Sequence, residues 1–268
     1  MIGLSTYSFF WEHKLSVPDG PNLQPLDLPG MLRATADQGV HLLQICDYAP
    51  LFDLDEKGLA DLRGLADSLG IQLELGTRVV TPSHLERMLT TSLALGATFV
   101  RSMLSDANSR PSTREAERWL RQELPHWEAA GVTLALETYE QIPVAELVDL
   151  VARIDSPSLG ICLDPANSVA ALENPRDTVE RCAPYVAGLH IKDFSFTRHE
   201  QWVGFRLSGT PLGHGLLDYR HLMDTVRPEE RGINRVVEHW LPWQGTQTDT
   251  IRLEREWTTT ALAYMKEH

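Results

Sequence analysis

Residues 133–167, TLALETYEQIPVAELVDLVARIDSPSLGICLDPAN, read as a strand, a helix candidate and a second strand, and each strand hands over to an acidic residue. The first strand, Thr133–Leu136, is followed by Glu137; the second, Leu159–Leu163, is followed by Asp164. Short apolar runs joined by longer amphipathic segments are the sign of repeated βα units and a parallel sheet. The same unit recurs along the chain. Further strands are expected at Ile2–Ser5, Leu42–Cys46, Gln72–Leu75, Thr98–Ser102, Val186–Ile191 and Arg235–Val237, making eight. Helices are expected between them, with Leu59–Leu69 and Ser83–Leu95 as clear cases. Leu69-Gly70, Leu95-Gly96 and Ala130-Gly131 repeat one helix-stop device and mark the bottom of the molecule. Eight βα units in 268 residues predict an α/β fold, a single (β/α)8 barrel domain over residues 1–268.

In such a barrel the carboxyl ends of the strands face one mouth. Four consecutive strands deliver Glu137, Asp164, His190 and Glu238 there, a set that suits one divalent cation: Mn²⁺ first, with Mg²⁺, Co²⁺ or Zn²⁺ as alternatives. Taken singly, a polar residue at a strand end is ordinarily a solvated loop group; four on neighbouring strands point to one shared site. Without a cation, the three carboxylates are expected to raise one another's pKa values. Glu137 and Glu238, from the fifth and eighth strands, would stand across the mouth. They suit removal of a proton from one face of a substrate carbon and its return to the other, while the metal neutralises charge on an enediolate.

Composition narrows the alternatives. With 37 acidic against 24 basic residues and a formal charge of −13, the chain has no footprint for nucleic acid. No apolar run approaches the ~18 residues of a membrane span, and the start MIGLSTYSFFWEHK, without a basic stretch before its apolar residues, is expected to be unprocessed. Cys46, Cys162 and Cys182 are too few for a disulfide framework, so a reducing cytoplasm is expected. A homodimer or homotetramer stays open.

Two connections on the mouth side are long. Phe9 to Pro29 carries Trp11 and His13 with Pro18, Pro21 and Pro25; Phe194 to Leu217, residues 194–217, carries Arg206, His214 and four glycines beside Trp202 and Phe205. Both read as lids or pocket walls without regular structure. Arg78 and Arg101, at the ends of the third and fourth strands, are substrate-binding candidates for a carboxylate or phosphate, against an even chance of pairing with rim acids. Tyr7, Trp11 and Trp240 are candidates to pack on a sugar face, though such aromatics more often fill a rim. His239 is expected to point away from the metal by strand alternation, and Lys192 and Asp193 are expected to be loop or supporting partners rather than ligands.

LALETYE, ICLDPAN, HIKD, PLGHGLLDY and VVEHW together resemble the xylose isomerase-like barrel superfamily, and within it the sugar phosphate isomerase/epimerase family that includes D-tagatose 3-epimerase-like enzymes. The resemblance spans the chain. It implies that Glu137 and Glu238 are both ligands and the acid/base pair, that Asp164 and His190 complete the coordination, and that Arg206, with Arg198 as rival, contacts the substrate. The chain departs from that pattern at Asn167, where a His that bonds the sugar is usual, and at His214, where an acidic residue is common. Asn167 stays a substrate-binding candidate because its amide can donate and accept. The resemblance implies a metal-dependent isomerase or epimerase of a ketose or keto-sugar, with small-molecule sugar as partner. Alternatives are a dehydratase of a keto-sugar or keto-inositol on the same site, a non-catalytic metal-binding barrel, and a nuclease, which the few His ligands and acidic balance oppose.

Overall fold

The computed structural model describes residues 1–14, 25–199 and 203–268. Pro18, Pro21 and Trp202 therefore lie outside the described residues. Eight parallel strands close a barrel: β1 Ile2–Ser5, β2 Leu42–Cys46, β3 Gln72–Arg78, β4 Phe99–Met103, β5 Thr133–Glu137, β6 Leu159–Leu163, β7 Val186–Ile191 and β10 Arg235–Val237, with β1 pairing to both β2 and β10. Ten α-helices are present among the described residues. Those packing between strands are α2 Leu28–Asp37, α3 Glu56–Ser68, α4 Pro82–Leu95, α5 Thr113–Ala130, α6 Val144–Ile154, α8 Pro175–Cys182, α9 Tyr219–Val226 and α10 Gln247–Glu267. The short α1, Phe10–His13, and α7, Pro165–Val169, follow β1 and β6. No helix among the described residues is long and apolar enough to cross a membrane.

The elements arise from local chemistry. Ser112 and Glu115 exchange hydrogen bonds in a capping box that starts α5, and Asp164 accepts the amides of Ala166 and Asn167 to start α7. The glycines after α4 and α5, Gly96 and Gly131, take φ of 69° and 67°, the left-handed turn that ends a helix without a Cβ penalty. Burial of leucine, valine and isoleucine between strands and helices forms the main core, from Leu4 and Met31 to Trp127, Leu150 and Leu262. Inside the barrel a smaller apolar group, Phe99, Ala135 and Cys162, lies below a polar layer.

The strand limits differ from expectation at three places. β3 runs three residues beyond Leu75, because Gly76, Thr77 and Arg78 keep pairing with Arg101, Ser102 and Met103. The fourth strand is Phe99–Met103, shifted one residue from Thr98–Ser102, and the fifth includes Glu137 itself. The 194–217 excursion is not irregular throughout: it contains an antiparallel hairpin, β8 Phe194–Arg198 and β9 Phe205–Gly209. Asp193 ties its base, with Oδ1 accepting the amides of Phe194 and Leu217 and Oδ2 those of Gly213 and Gly215. A Cβ on Gly215 would run into Asp193 Oδ1 and the Phe194 carbonyl, so this tie requires glycine there.

Candidate metal centre

Glu137, Asp164, His190 and Glu238 leave β5, β6, β7 and β10 as neighbours, and one ligand atom from each falls within 4.8 Å of the others. All four are buried. His190 Nδ1 lies 3.0 Å from Glu137 Oε1, 3.5 Å from Glu238 Oε2 and 3.9 Å from Asp164 Oδ2. The donor set passes a fit test for a hard divalent cation. Three carboxylates and one imidazole, all buried and converging, need compensating positive charge, and carboxylate oxygens with one ring nitrogen are the donors such a cation takes.

Supporting groups hold the residues of the cluster. Asn167 Nδ2 donates to Glu137 Oε1 at 3.1 Å, and its own Oδ1 is buried without a partner. Ser5 Oγ donates to Glu238 Oε1 at 3.1 Å. Thr138 Oγ1 donates to the Asp164 carbonyl at 2.9 Å. The strongest of these supports is Lys192, expected from the sequence as a loop or supporting partner rather than a ligand. Its Nζ sits 2.8 Å from Asp164 Oδ2 and 3.1 Å from Glu238 Oε2, with the Trp240 ring centroid 4.5 Å away. The signal was present in His190-Ile191-Lys192, where a period of two puts Lys192 on the face of His190. Asp193 is the loop partner that was expected.

The carboxylates do push one another's pKa values up, as expected, but nearby positive groups decide the net direction for two of the three. Burial would raise Glu238, but His190, Lys192 and Arg101 outweigh it and bring it down to about 2. Glu137 is likewise lowered, because Arg101 and His190 outweigh the cost of burial. Only Asp164 is raised: burial, with Glu137 and Glu238 nearby, exceeds the pull of Lys192 and His190. Burial lowers His190, but Cys162, Glu238 and Glu137 together hold it well above the ordinary imidazole range.

The other candidates divide. Arg101 reaches the cluster, with Nε 3.1 Å from Glu137 Oε2, an ion pair whose N–H is not aligned for a hydrogen bond, and Nη1 donating to the Thr77 carbonyl at 2.8 Å. Arg78 stands one step out. Its Nε is 3.3 Å from Asp47 Oδ2, and it donates to the Tyr7 hydroxyl at 3.2 Å, which in turn donates to Asp47 at 2.9 Å. Asp47, at φ 49°, and Val79, at φ 68°, adopt left-handed backbone beside these arginines, strain worth about 1–3 kcal/mol each that clusters where side chains must be aimed. Tyr7, Arg78, Met103, Tyr139, Lys192 and Trp240 line a cavity over Glu137, Asn167 and Glu238. Trp11 and Arg206 do not line it. Trp11 donates its indole N–H to the Leu241 carbonyl at 2.9 Å and packs on Trp243, and Arg206 is exposed on β9 opposite Thr197. His214 is exposed, and His239 faces outward to Thr258 Oγ1 at 3.0 Å, with burial lowering it to about 4.

The chain is 51% identical over 264 residues, 98% of its length and 94% of the relative's, to the 3-oxo-isoapionate decarboxylase of Pectobacterium atrosepticum. Its fold is similar to that of D-psicose 3-epimerase from Clostridium cellulolyticum H10, with a TM-score of 0.74 at 15% identity, covering 99% of this chain and 98% of that one. A xylose isomerase-like TIM barrel protein from Mycobacterium smegmatis, solved in complex with magnesium, gives a TM-score of 0.71 at 16% identity over 98% of this chain and 97% of that one. Residues 3–267 match the family described as xylose isomerase-like TIM barrel. A closed barrel of eight parallel strands, a four-group centre at its mouth and a family match over nearly every residue lead to one conclusion: the chain belongs to the xylose isomerase-like TIM barrel family.

Proposed function

We propose that this chain is a divalent-metal-dependent decarboxylase of a polyhydroxylated 3-oxo acid. The observation that carries the reading is the 51% identity, across 98% of the chain, to a 3-oxo-isoapionate decarboxylase. The site chemistry is consistent with it. When a 3-oxo acid loses CO2, the C1–C2 bond breaks, its electron pair is shared between C2 and the 3-oxo oxygen, and C2 then takes a proton. A cation held by Glu137, Asp164, His190 and Glu238 would supply Lewis acidity toward the 3-oxo oxygen.

Negative charge moves from the carboxylate to the oxo oxygen. Cations help where charge arrives and hold the reaction back where it departs. Lys192 lies inside the cluster, so the oxo end of the substrate belongs there, with the Lys192 ammonium as a compensating charge and a proton source. Arg78 and Tyr7 stand at the rim and suit the substrate's hydroxyls. Arg101 is held by Glu137, Asp47 and the Thr77 carbonyl and therefore orients Glu137. Asn167 orients Glu137 from the other side.

Epimerisation or isomerisation of a ketose, the outcome put first from the sequence, is the second reading. Its support is that Glu137 and Glu238 flank His190 Nδ1 at 3.0 and 3.5 Å, leaving two carboxylates at one centre. The two reactions share an electron distribution and differ in what leaves the carbon beside the carbonyl: CO2 in one, a proton in the other. Mn²⁺-supplemented protein should be given 3-oxo acids generated in situ by oxidation of 3-hydroxy sugar acids, and separately a panel of neutral ketoses, in D2O. Trapped CO2 and one deuterium at the former carboxyl-bearing carbon support decarboxylation. Ketose turnover with every carbon retained and deuterium entering beside the carbonyl, with no CO2 from any acid, would establish the second reading instead.

A further inference from the structure

The barrel interior carries a row of polar side chains that the proposed reaction does not use. Such interiors are ordinarily filled by bulky apolar residues, so buried amides and carboxyls there need a reason. Gln44 on β2 and Glu74 on β3 are 1% and 2% exposed. His190 Nε2 lies 2.8 Å from Gln44 Oε1, Gln44 Nε2 donates to Glu74 Oε2 at 3.0 Å, and Asn234 Nδ2 donates to Glu74 Oε1 at 2.6 Å. Cys46 Sγ donates to the same Gln44 oxygen at 2.9 Å.

We infer that Gln44 and Glu74 are positioning residues for the metal centre: they form a directed hydrogen-bond chain that decides which nitrogen His190 offers to the cation. The direction follows from donor and acceptor inventory. Glu74 accepts from two amides, so Gln44 must turn its NH2 toward Glu74 and its oxygen toward His190. That oxygen, already facing the Cys46 thiol, can only accept, so His190 keeps its proton on Nε2. Nδ1, which points at Glu137, Asp164 and Glu238, is then the nitrogen free to bind a metal. Burial pushes the Glu74 carboxyl upward, and Asn234 and Gln44 oppose that push with their N–H groups. The inference rests on the reading of the four groups as a metal site, because a supporting partner of this kind acts through the ligand it orients.

The test is cation affinity, measured by chelator competition with Mn²⁺ and Zn²⁺ on wild type, Gln44→Met and Glu74→Gln. Gln44→Met keeps length and removes the acceptor. Glu74→Gln is nearly isosteric and lets Gln44 face either way, so it stays informative if the first variant does not fold. Affinity should fall by roughly 10–100-fold in Gln44→Met, and also fall in Glu74→Gln. In Zn²⁺-loaded wild type, ¹⁵N-edited NMR should show a slowly exchanging His190 Nε2–H proton that broadens or is lost in both variants, a change that loss of packing alone does not produce. Folded variants that bind both ions within threefold of a wild type that itself binds them would overturn the inference while leaving the metal site standing. A wild type that binds neither ion would overturn the metal reading and this inference with it.

Discussion

Replacing Lys192 with Met should destabilise the ion-free protein and strengthen its response to metal. Lys192 is 4% exposed and its ammonium touches two buried carboxylates, Asp164 at 2.8 Å and Glu238 at 3.1 Å. Lys192 and Arg101 are the fixed positive groups facing the three carboxylates, so the variant is short by one compensating charge. Removing one partner of a buried ion pair costs about 3–5 kcal/mol, because the other charge stays buried. For a domain of this size that corresponds to a fall of roughly 6–20 °C in Tm. A divalent cation supplies the missing charge, so Mn²⁺ should raise the Tm of Lys192→Met by more than it raises that of wild type, by linkage. Urea denaturation and calorimetry, with chelator and with Mn²⁺, measure both terms. Equal ion-free stabilities, or equal Mn²⁺ shifts, would refute the argument that Lys192 is the cluster's internal countercharge.

Three further outcomes are expected. Glu137→Gln and Glu238→Gln should each lower kcat by ~10²–10⁴-fold with the fold retained by circular dichroism, since an amide ligates weakly and moves no proton; full activity in either would remove that residue from the chemistry. Gly215→Ala should cost about 1–3 kcal/mol through its collision with Asp193 and the Phe194 carbonyl, and speed hydrogen exchange in β8 and β9 before the barrel strands. Glu254, buried so that its pKa rises to about 8 while it accepts the amides of Trp11 and Glu12, holds a proton in the folded state that it loses when unfolded, so stability should fall as pH rises from the ordinary glutamate range toward 8. Glu254→Gln should flatten that decline, and an unchanged pH–stability curve in the variant would count against it.

The repeat of strand, helix and glycine stop was legible because each signal is local. Gly70, Gly96 and Gly131 all take the left-handed turns that the Leu-Gly and Ala-Gly pairs announced. The end of β3 was not legible, because Gly76 reads as a breaker; it is a glycine because a Cβ there would collide with Cys46 Sγ in the neighbouring strand. The convergence of Glu137, Asp164, His190 and Glu238 at one point was legible from strand ends alone. Gln44 and Glu74 were not sought, although a lone polar residue at an inward position of LLQIC and QLELG is the mark they leave. The hairpin was hidden by weighing glycines over alternation, since FSFTR and FRLSG both alternate. Arg78 and Arg101 were placed at the mouth by their strand ends, but only tertiary structure reveals that Asp47 stands between them.

The four amides gathered by Asp193 make the hairpin a cassette. Its two ends are fastened at one carboxylate, so the barrel does not depend on what the connection between Arg198 and Phe205 contains. Doubling that connection would cost only about 0.6 kcal/mol of closure entropy. A lineage could therefore exchange the tip of this hairpin wholesale while Glu137, Asp164, His190 and Glu238 stay in register. Directed evolution toward new substrates is best begun there, by grafting whole hairpin tips onto an unchanged Asp193 clasp rather than by editing the barrel.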